Sequence, residues 1–596
     1  MSLRHQTTRA TVRGSAPSRS AGLFRLRFGF VVIAMVLSVF GARLLQLQGL
    51  DPHAYAAMAA REGVQNVVLP AERGAITDRN GVELATSVDG LMIVADPQMT
   101  EDDAGPIASY LSQELEIDYF ATLAKLRKDD TRFQYVARRV PSTVARRVID
   151  ALEEKGYKGL TTRRDPMRDY PADDVAANLI GFIGDDEDFG PLAGFERTFD
   201  KQLSGVDGKT TYEVGGGNRI PLGTNNTVKP VNGKDLQLTI ERDVQWFTQR
   251  VLREAVRGAK ADSGTAVVVN TESGEILADA DYPTFNANEP LKSPERNLGS
   301  RATSDPYEPG SVEKALTFSA LIDAGKITPR TQITVPSVLE SQNAVIHDHW
   351  DHETIHLTAA GALAKSSNIG TALSAREFTP DELNGYLRGF GLGQRTDIGV
   401  RGESAGRIPD PSTWGQLGQD NIAFGQGLSV NAVQMAAAIN TIANDGVYID
   451  PSLVKGEAVA DNGVKVGTST TQTRRVISEE AARQTSEMME LVTDPVDGIA
   501  PTSAIPGYRV AGKTGTAQRV GKECGCYDGT FTVSFAGFAP ADDPKFTVYV
   551  VIQNPRNGMG GGAAAGPVFQ KVMTYLLRKY GVPPTGARPT TLPVEW

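Results

Sequence analysis

The chain has 596 residues, 40% of them hydrophobic, and a formal net charge of −10 at pH 7. This length allows two or three domains with substantial cores, and the composition is that of a globular protein without internal repeats. After the basic N-terminus, 55 basic and 71 acidic residues remain, a charge of −16 that argues against nucleic acid as a partner of this part.

The first 47 residues have the pattern of a membrane anchor. Residues 1–27 contain six Arg and no acidic residue, so we expect a disordered basic tail. Residues 28–42 are uncharged and apolar, and further leucines extend the run, so residues 28–47 are predicted to be one transmembrane helix. By the positive-inside rule the tail is cytoplasmic and the rest extracytoplasmic. A cleaved signal peptide is the alternative, but no Ala-x-Ala site follows the run directly.

Residues 48–235 are predicted to be a pedestal domain, because no nucleophile–base pair stands out there. A strand that enters an Asn-Gly turn is predicted over residues 73–81, and helices are predicted over 107–128 and 141–155. The charged residues of this region are interpreted as a structural ion-pair network formed by Arg73, Asp78, Arg168 and Glu196.

Residues 236–580 have the pattern of a second, larger domain, and residues 581–596 are expected to be a flexible tail. We predict an antiparallel sheet with the first and last helices on one face and a helical block beside it. The predicted elements are a helix over 243–258, a hairpin of 265–270 with 275–281, a helical block over 358–444, strands over 508–518, 531–537 and 546–553, and a helix over 568–579.

The candidate nucleophile is Ser311, in the stretch 307–314 (YEPGSVEK). A turn at Pro-Gly and an amphipathic helix over 312–324 put Ser311 at a helix start, with Lys314 one turn along the same face. A desolvated lysine can act as the base for such a serine, and the N–H groups of the helix start favour an oxyanion. One S-x-x-K match is expected by chance, and we interpret the other match, Ser452 to Lys455, as that one.

Two further short motifs complete the candidate site. Ser366 and Asn368 follow a predicted helix, and we expect both side chains on one side of an extended segment. Lys513 begins a Lys-Thr-Gly-Thr string on a predicted strand, where Gly515 would permit close approach of a ligand. Thr514 and Thr516 offer hydroxyl groups to a carboxylate.

The order S-x-x-K, S-x-N, K-T-G resembles the class B penicillin-binding proteins, which are peptidoglycan D,D-transpeptidases. Residues 73–81 and Gly425-Gln426-Gly427 strengthen the likeness, which covers about residues 73–575. The stretches 307–314 and 524–527 resemble the actinobacterial cell-division FtsI type. The resemblance implies an α+β fold: a transpeptidase domain of the penicillin-binding and serine β-lactamase type, with a helical subdomain, on an elongated α+β pedestal of the dimerisation type, preceded by one transmembrane helix.

The resemblance also implies a reaction and a set of roles. The acyl-enzyme forms on a stem peptide with loss of the terminal D-Ala, a neighbouring amine resolves it into a crosslink, and β-lactams acylate the same serine. No cofactor or metal is implied. The implied residues are Ser311 as nucleophile, Lys314 as general base, Ser366 and Lys513 as the proton and charge network, Asn368 for the peptide, Thr514, Gly515 and Thr516 for the substrate and its carboxylate, and the backbone N–H groups of Ser311 and Thr516 as the oxyanion hole.

The implied partners follow from the same resemblance. They are stem peptides of strands derived from lipid II, β-lactam antibiotics, an FtsW-type glycosyltransferase and other division proteins. The implied location is the cell membrane, spanned once.

A histidine-rich stretch, residues 347–356, competes with this interpretation. His352 to His356 spells H-E-x-x-H, which on a helix would be a zinc-protease site. The residues around it favour an extended segment, with Thr358 as the N-cap of the next helix, so zinc catalysis is kept as a remote alternative and an incidental metal site is left open.

The motifs leave the fate of the acyl group open. A D,D-carboxypeptidase or a β-lactam sensor would share the acylation step, and a non-enzymatic division scaffold would not need Ser311. Glu313, which departs from the family's commoner sequence, is expected to point away from the cleft while altering the potential near Lys314. The sole cysteines, Cys524 and Cys526, could pair or remain free thiols.

Overall fold

The structure is a computed structural model that describes residues 19–46, 64–184, 190–215, 218–219, 225–495, 498–521, 525–586 and 588–596. The helices are α1 (Arg19–Leu45), α2 (Pro97–Thr100), α3 (Ala104–Leu115), α4 (Tyr119–Leu126), α5 (Ser142–Glu154), α6 (Ala177–Ile180), α7 (Gly194–Thr198), α8 (Asp200–Leu203), α9 (Arg242–Gly258), α10 (Arg301–Ser304), α11 (Lys314–Asp323), α12 (Ala359–Ala364), α13 (Asn368–Ala375), α14 (Pro380–Gly389), α15 (Gln416–Ala423), α16 (Ala432–Ala443), α17 (Glu479–Glu490), α18 (Gly561–Ala564) and α19 (Gly566–Lys579).

The strands form several separate sheets. They are β1 (Val64–Leu69), β2 (Ile76–Thr77), β3 (Glu83–Val88), β4 (Gly90–Ala95), β5 (Gln134–Pro141), β6 (Leu160–Arg164), β7 (Met167–Asp169), β8 (Gly208–Gly215), β9 (Asn218–Arg219), β10 (Asn225–Val228), β11 (Leu236–Gln237), β12 (Ser263–Asn270), β13 (Ile276–Tyr282), β14 (Gln332–Val335), β15 (Leu339–Ser341), β16 (Ala344–Ile346), β17 (Ile355–Thr358), β18 (Val447–Ile449), β19 (Ala458–Val459), β20 (Lys465–Val466), β21 (Thr473–Arg475), β22 (Ala511–Val520), β23 (Tyr527–Ala539) and β24 (Phe546–Gln553).

The chain divides into two compact units, of which the first comprises the residues up to 69 together with 208–229. Its sheet has the order β1-β8-β10, with β9 paired to β8. Helix α1 contains a 22-residue segment, Phe24–Leu45, that is long and apolar enough to cross a membrane. The helix begins at Arg19, earlier than the expected start at residue 28, so the end of the expected disordered tail is helical. Of the predicted tail and membrane helix, residues 1–18 and residue 47 lie outside the described residues.

The second unit comprises residues 70–207 and 230–596. In its N-terminal part, one sheet has the order β11-β2-β3-β7 and another the order β5-β4-β6. The helix predicted over 107–128 is two helices, α3 and α4, because Glu116 at the end of α3 has a left-handed backbone conformation (φ 55°). Together with α5 and the β5-β4-β6 sheet they enclose a separate apolar core.

A buried ion-pair network lies in this N-terminal part. The fully buried Glu196 carboxylate accepts hydrogen bonds from Arg73 Nε at 2.6 Å and Arg168 Nε at 2.7 Å. Arg73 also reaches Asp200. Asp78, which we expected in the network, is not part of it: its carboxylate accepts backbone N–H groups around the β2–β3 turn. The order Asp-Arg-Asn-Gly explains this, since Asp at the start of a turn caps the turn's own N–H groups.

The centre of the second unit is an antiparallel sheet in the order β13-β12-β24-β23-β22. Helices α9 and α19 cover one face with an apolar core, and α11 and α16 belong to the larger core on the other face. This is the predicted α+β arrangement, and it is confirmed. Helix α11, which follows the candidate nucleophile Ser311, differs from expectation. It was predicted to be amphipathic, but it is buried on every side from Lys314 to Leu321. A helix between a sheet and a helical block needs apolar residues on every side.

Strand β13 carries two buried acidic side chains, each with a relative solvent exposure of at most 2%. Asp281 accepts the Arg301 N–H at 2.9 Å and Asp279 lies 3.5 Å from Ser300 Oγ, while one carboxyl oxygen of each has no hydrogen-bond partner among the described residues. Burial raises the pKa of Asp279 to about 7 and that of Asp281 well above its ordinary range.

These buried carboxyl groups predict a pH-dependent stability. The folded chain holds the Asp279 proton more tightly than the unfolded chain, so stability is full below the ordinary Asp pKa and is lost as pH rises to about 7. The loss is on the order of 4 kcal/mol at most. We expect Asp279→Asn to reduce the fall in apparent Tm between pH 4 and pH 8. The exposed-site variant Asp543→Asn should keep the wild-type slope, and an unchanged slope in Asp279→Asn would contradict the prediction.

The C-terminal residues, which we expected to form a tail, contact the larger domain. Thr358 Oγ1 donates to the Pro593 carbonyl at 2.6 Å, and the Trp596 N–H donates to the His356 carbonyl at 3.3 Å. The C-terminal segment therefore lies along β17, the strand that directly precedes helix α12.

Candidate active site

Ser311 lies in a short 3-10 turn, Gly310–Val312, immediately before α11; we call it the nucleophile turn. This turn packs against β22. A Cβ on Gly515 would lie 2.9 Å from Val312 Cγ2 and 2.2 Å from Ser534 Oγ, and one on Gly310 would lie 2.8 Å from the Thr516 carbonyl. Gly515 therefore makes room for the protein's own side chains on that face, whereas we expected the room to serve a ligand.

Lys314, at the start of α11, is completely buried, and its amine points to the turn formed by residues 366–368, the S-x-N turn. Its Nζ donates to the Ser366 carbonyl at 2.6 Å and to Asn368 Oδ1 at 2.7 Å, and lies 3.4 Å from Ser366 Oγ. Burial lowers the pKa of Lys314 to about 7, against the opposing charges of Asp348 and Glu313. At neutral pH a large share of this amine is therefore unprotonated and able to accept a proton.

Lys513, on β22, reaches the same turn from the other side. Its Nζ lies 2.9 Å from Ser366 Oγ and 3.1 Å from the Thr514 carbonyl, and the side chain is fully buried. Burial, and then the charge of Lys314, hold the pKa of Lys513 well below its usual range. Ser366 Oγ thus lies between two lysine amines, a position from which it can relay a proton.

Ser311 is half-buried, and its hydroxyl makes no hydrogen bond within the described part of the chain. The structure thus brings Lys314, Ser366, Lys513 and Asn368 into direct contact, and leaves the serine oxygen on the neighbouring turn unengaged. A nucleophile that is free of hydrogen bonds can turn toward a base when substrate enters.

The S-x-N turn has a different backbone from the extended segment we expected. Ser366 has φ 59°, and Asn368 is the first residue of α13. The buried Asp348 carboxylate holds this turn by accepting from Ser367 Oγ at 2.6 Å, the Asn368 N–H and the Ile369 N–H at 3.0 Å. The Asn368 amide in turn donates to the His347 carbonyl at 2.8 Å. Asp348 therefore fixes the segment that carries Ser366 and Asn368.

Strand β22 ends the order of its sheet, so one of its sides carries backbone groups that face no further strand of that sheet. The Thr516 carbonyl points to that side, toward Gly310. In an antiparallel strand the N–H and C=O of one residue point the same way, so the Thr516 N–H faces the nucleophile turn. Thr514, which is buried, lies with Oγ1 3.4 Å from Lys513 Nζ, and Thr516 is exposed.

Glu308 fixes the nucleophile turn to two other elements. Its carboxylate accepts the Gly427 N–H at 3.1 Å and the Tyr527 hydroxyl at 3.0 Å. A groove of about 600 Å³ begins at this point, and it is lined by Tyr307, Glu308, Arg407, Gln518, Arg519 and Gln553, among others. Cys526, next to Tyr527, is disulfide-bonded, and Cys524 lies outside the described residues.

The histidine-rich stretch lacks the helix that a zinc-protease motif requires. His356 is on strand β17 with its ring 4.7 Å from Trp596, and His352 Nε2 lies 3.1 Å from the Asp348 carboxylate. Among the described residues, no three side chains of His, Cys, Asp or Glu could together hold a metal ion. Thr358 caps α12 by accepting the Gly361 N–H at 2.9 Å, as predicted.

The second S-x-x-K match and Glu313 behave as structural residues. Ser452 Oγ donates to the Val454 carbonyl, and Lys455 Nζ donates to the Arg79 carbonyl, so this match is no catalytic pair. Glu313, expected to point away from the cleft, is buried in the core and accepts from Thr317 Oγ1 at 2.8 Å, while its charge raises the pKa of Lys314.

The chain matches the family model of the penicillin binding protein transpeptidase domain over residues 264–574, and that of the penicillin-binding protein dimerisation domain over residues 68–238. It is 34% identical over 634 residues to penicillin-binding protein PbpB of Mycolicibacterium smegmatis, covering 99% of this chain and 96% of the relative. It is 32% identical over 575 residues to peptidoglycan D,D-transpeptidase FtsI of Escherichia coli, covering 94% and 92%.

Solved structures agree with these relatives. The crystal structure of penicillin binding protein 3 from Mycobacterium tuberculosis complexed with aztreonam superposes with a TM-score of 0.68 at 30% identity, covering 89% of this chain and 100% of that chain. The ampicillin complex of the same protein superposes with a TM-score of 0.69.

Proposed function

This chain belongs to the penicillin-binding proteins and is a peptidoglycan D,D-transpeptidase of the FtsI type, and from this premise we propose how its residues carry the reaction. Peptidoglycan is its substrate, and β-lactams bind it as they do relatives crystallised with aztreonam and ampicillin. The observation that carries the proposal is the buried contact of Lys314, Ser366 and Lys513 beside the Ser311 turn.

In the first step, Ser311 Oγ attacks the carbonyl carbon of the penultimate D-Ala of a stem pentapeptide. Lys314 is the general base, since its lowered pKa leaves unprotonated amine at neutral pH. The proton passes through Lys314, Ser366 and Lys513 to the nitrogen of the departing D-Ala. The N–H groups of Ser311 and Thr516 stabilise the oxyanion: Ser311 lies in the nucleophile turn, and the Thr516 N–H faces that turn.

The substrate binds in the cleft between the S-x-N turn on one side and strand β22 on the other. Asn368, fixed at the start of α13, aligns the stem peptide, and Thr514 and Thr516, on either side of Gly515, bind its terminal carboxylate near the Lys513 amine. The 600 Å³ groove beyond Glu308 has the size of a ligand site and gives a second stem peptide room to approach. Its amine then resolves the acyl-enzyme into a crosslink, and a β-lactam that acylates Ser311 blocks that step.

Mass spectrometry tests the assignment of the nucleophile. We expect a labelled penicillin to add one label to the purified full-length chain, on the peptide that contains Ser311. A label on any other residue, or none, would refute the proposed site.

The anchor helix sets the location. Helix α1 fits a single-pass membrane anchor, and we propose that the basic N-terminus is cytoplasmic and the catalytic unit extracytoplasmic. A protease added outside spheroplasts should therefore degrade the catalytic unit and spare an N-terminal tag; the reverse pattern would contradict this orientation.

We further propose that the chain acts in septal cell-wall synthesis with an FtsW-type glycosyltransferase and other division proteins. The support is the similarity to FtsI of Escherichia coli. We also propose a boundary between the pedestal domain and the larger domain at residues 235–236, which the two family-model matches support. Co-purification with the glycosyltransferase, compared with a chain whose α1 sequence is scrambled, tests the partnership.

A further inference from the structure

We propose that residues 590–596, the C-terminal strap, position the S-x-N turn for acylation by holding helix α12. The inference rests on the proposed roles of Lys314, Ser366 and Lys513, because it concerns how Ser366 is brought to the two amines. Helix α12 ends two residues before Ser366, so the placement of the helix determines the placement of the turn. The helix has only six residues, too few to be stable without support from outside.

The strap pairs with strand β17 on the side opposite β14. Glu595 is bridged to Leu357, and the Trp596 N–H donates to the His356 carbonyl at 3.3 Å. The rings of His356 and Trp596 meet edge to face, with their centroids 4.7 Å apart. Because Leu357 is also paired with Ile333 of β14, the strand that leads into α12 is held on both sides.

The strap also contacts the start of α12 directly. The Thr358 N–H donates to the Val594 carbonyl at 3.0 Å, and Thr358 Oγ1 donates to the Pro593 carbonyl at 2.6 Å. The same hydroxyl oxygen accepts the Gly361 N–H at 2.9 Å and thereby caps the helix. The Thr358 side chain therefore joins the strap to the helix start through a single oxygen atom.

Gly361 marks a very close approach between the strap and the helix. A Cβ at this position would lie 1.8 Å from the Val594 carbonyl oxygen, so only glycine permits this packing. Glycine is a weaker helix former than alanine, so α12 gives up stability of its own at the place where the strap contacts it. Leu592 and Val594 also pack against the larger core, which fixes the strap in turn.

Backbone hydrogen bonds carry the position of α12 into the S-x-N turn. The Leu363 carbonyl accepts the Ser366 N–H at 3.1 Å, and the Ala362 carbonyl accepts the Ser367 N–H at 2.9 Å. The Ser366 carbonyl accepts the Lys314 amine at 2.6 Å. A shift of α12 away from the core therefore lengthens the contact to Lys314 and admits water to its amine.

The charged neighbours of Lys314 lie on other elements. Among the described residues, the titratable groups that interact with its amine are Glu313, Asp348, His349 and Lys513. Glu313 directly precedes α11, Lys513 is on β22, and Asp348 and His349 precede β17. None of these four lies on α12 or on the strap, so loss of the strap acts on the desolvation of the amine.

Deletion of residues 590–596 tests the proposal through the pH dependence of acylation. With the turn relaxed, Lys314 should be less desolvated, so its pKa should rise from about 7. We expect the rise in the rate of acylation by a labelled penicillin to move up by about one pH unit, with the rate at pH 6 falling about tenfold. The peptide TTLPVEW (residues 590–596), added at a concentration on the order of millimolar, should restore the wild-type profile, and a scrambled peptide should not.

Gly361→Ala is a second variant, and it retains the whole chain. Its methyl group must displace the Val594 carbonyl or the helix, so we expect the same shift of the pH profile. In the truncated chain this substitution has no strap to displace and should have no further effect. The matched control is Gly385→Ala on α14, where a Cβ would meet no atom within 4 Å and the profile should stay that of the wild type.

Two results would overturn the inference. One is a rate that falls by the same factor at every pH in the truncated chain, because simple loss of folded protein gives that result. The other is an unchanged pH profile in Gly361→Ala, which also decides the case if the truncated chain does not fold. Absence of penicillin labelling in the wild type would instead refute the proposed nucleophile.

Discussion

Replacing Ser311 by alanine is expected to abolish covalent labelling by a penicillin and to reduce transpeptidation at least about 10⁴-fold. The serine oxygen is the atom to which the acyl group is attached, and no other group in the cleft can replace that bond. Fold and stability should change little, because Ser311 Oγ makes no hydrogen bond within the described residues. Gel fluorescence with a labelled penicillin, together with a thermal melt, measures both effects.

The chain supplies a matched control for this variant. Ser452 begins the second S-x-x-K string, so Ser452→Ala removes the same group from the same pattern at another place. We expect Ser452→Ala to label normally and to lose about 1 kcal/mol of stability, since it gives up the hydrogen bond to the Val454 carbonyl. Persistent labelling of Ser311→Ala, or loss of labelling in Ser452→Ala, would contradict the assignment.

The second large effect is expected at Lys314. Lys314→Met should lower the rate of acylation by a penicillin about 10²- to 10⁴-fold, because the methionine retains the bulk of the side chain and has no proton acceptor of that strength. In the wild type the rate should rise as pH increases through about 7, since the unprotonated amine is the active form. In the variant this rise should vanish.

Stopped-flow acylation between pH 5 and pH 9 measures both parts of this prediction. Lys455→Met, in the second S-x-x-K string, should keep the wild-type rate and pH profile. If Lys314→Met retained a rise centred near pH 7, the titrating base would be another group, with Lys513 the first to be tested by the same substitution.

The residues that could be located from sequence are those whose spacing is local. Ser311 and Lys314 are one turn apart, so a helix start sufficed to place their backbones on consecutive turns. The Lys314 amine, however, bonds to Ser366 and Asn368, and not to Ser311 as expected. Lys513 was recognised by the glycine and threonines that follow it on β22. Lys314 and Lys513 both contact Ser366, which is 52 positions from the first and 147 from the second. These contacts depend on the order of the sheet, so they were predicted from the resemblance to a known family and not from spacing.

The residues that were missed act over longer separations. Asp348 binds the S-x-N turn from 19 to 21 positions away, and its neighbours suggested a metal site instead. No periodic pattern marks a carboxylate that caps a distant helix. The left-handed conformation of Ser366 and the burial of α11 on all sides follow from packing against other elements, which periodicity within one segment does not report.

The position of β22 at the end of its sheet has a consequence for solubility. An unpaired strand border attracts any extended chain, including a second copy of the protein during synthesis or secretion. Here the Pro309–Val312 turn crowds that border at Gly515 and Thr516. The turn thereby covers part of the border that a strand of another molecule would need for pairing, so the segment that holds the nucleophile also guards against aggregation.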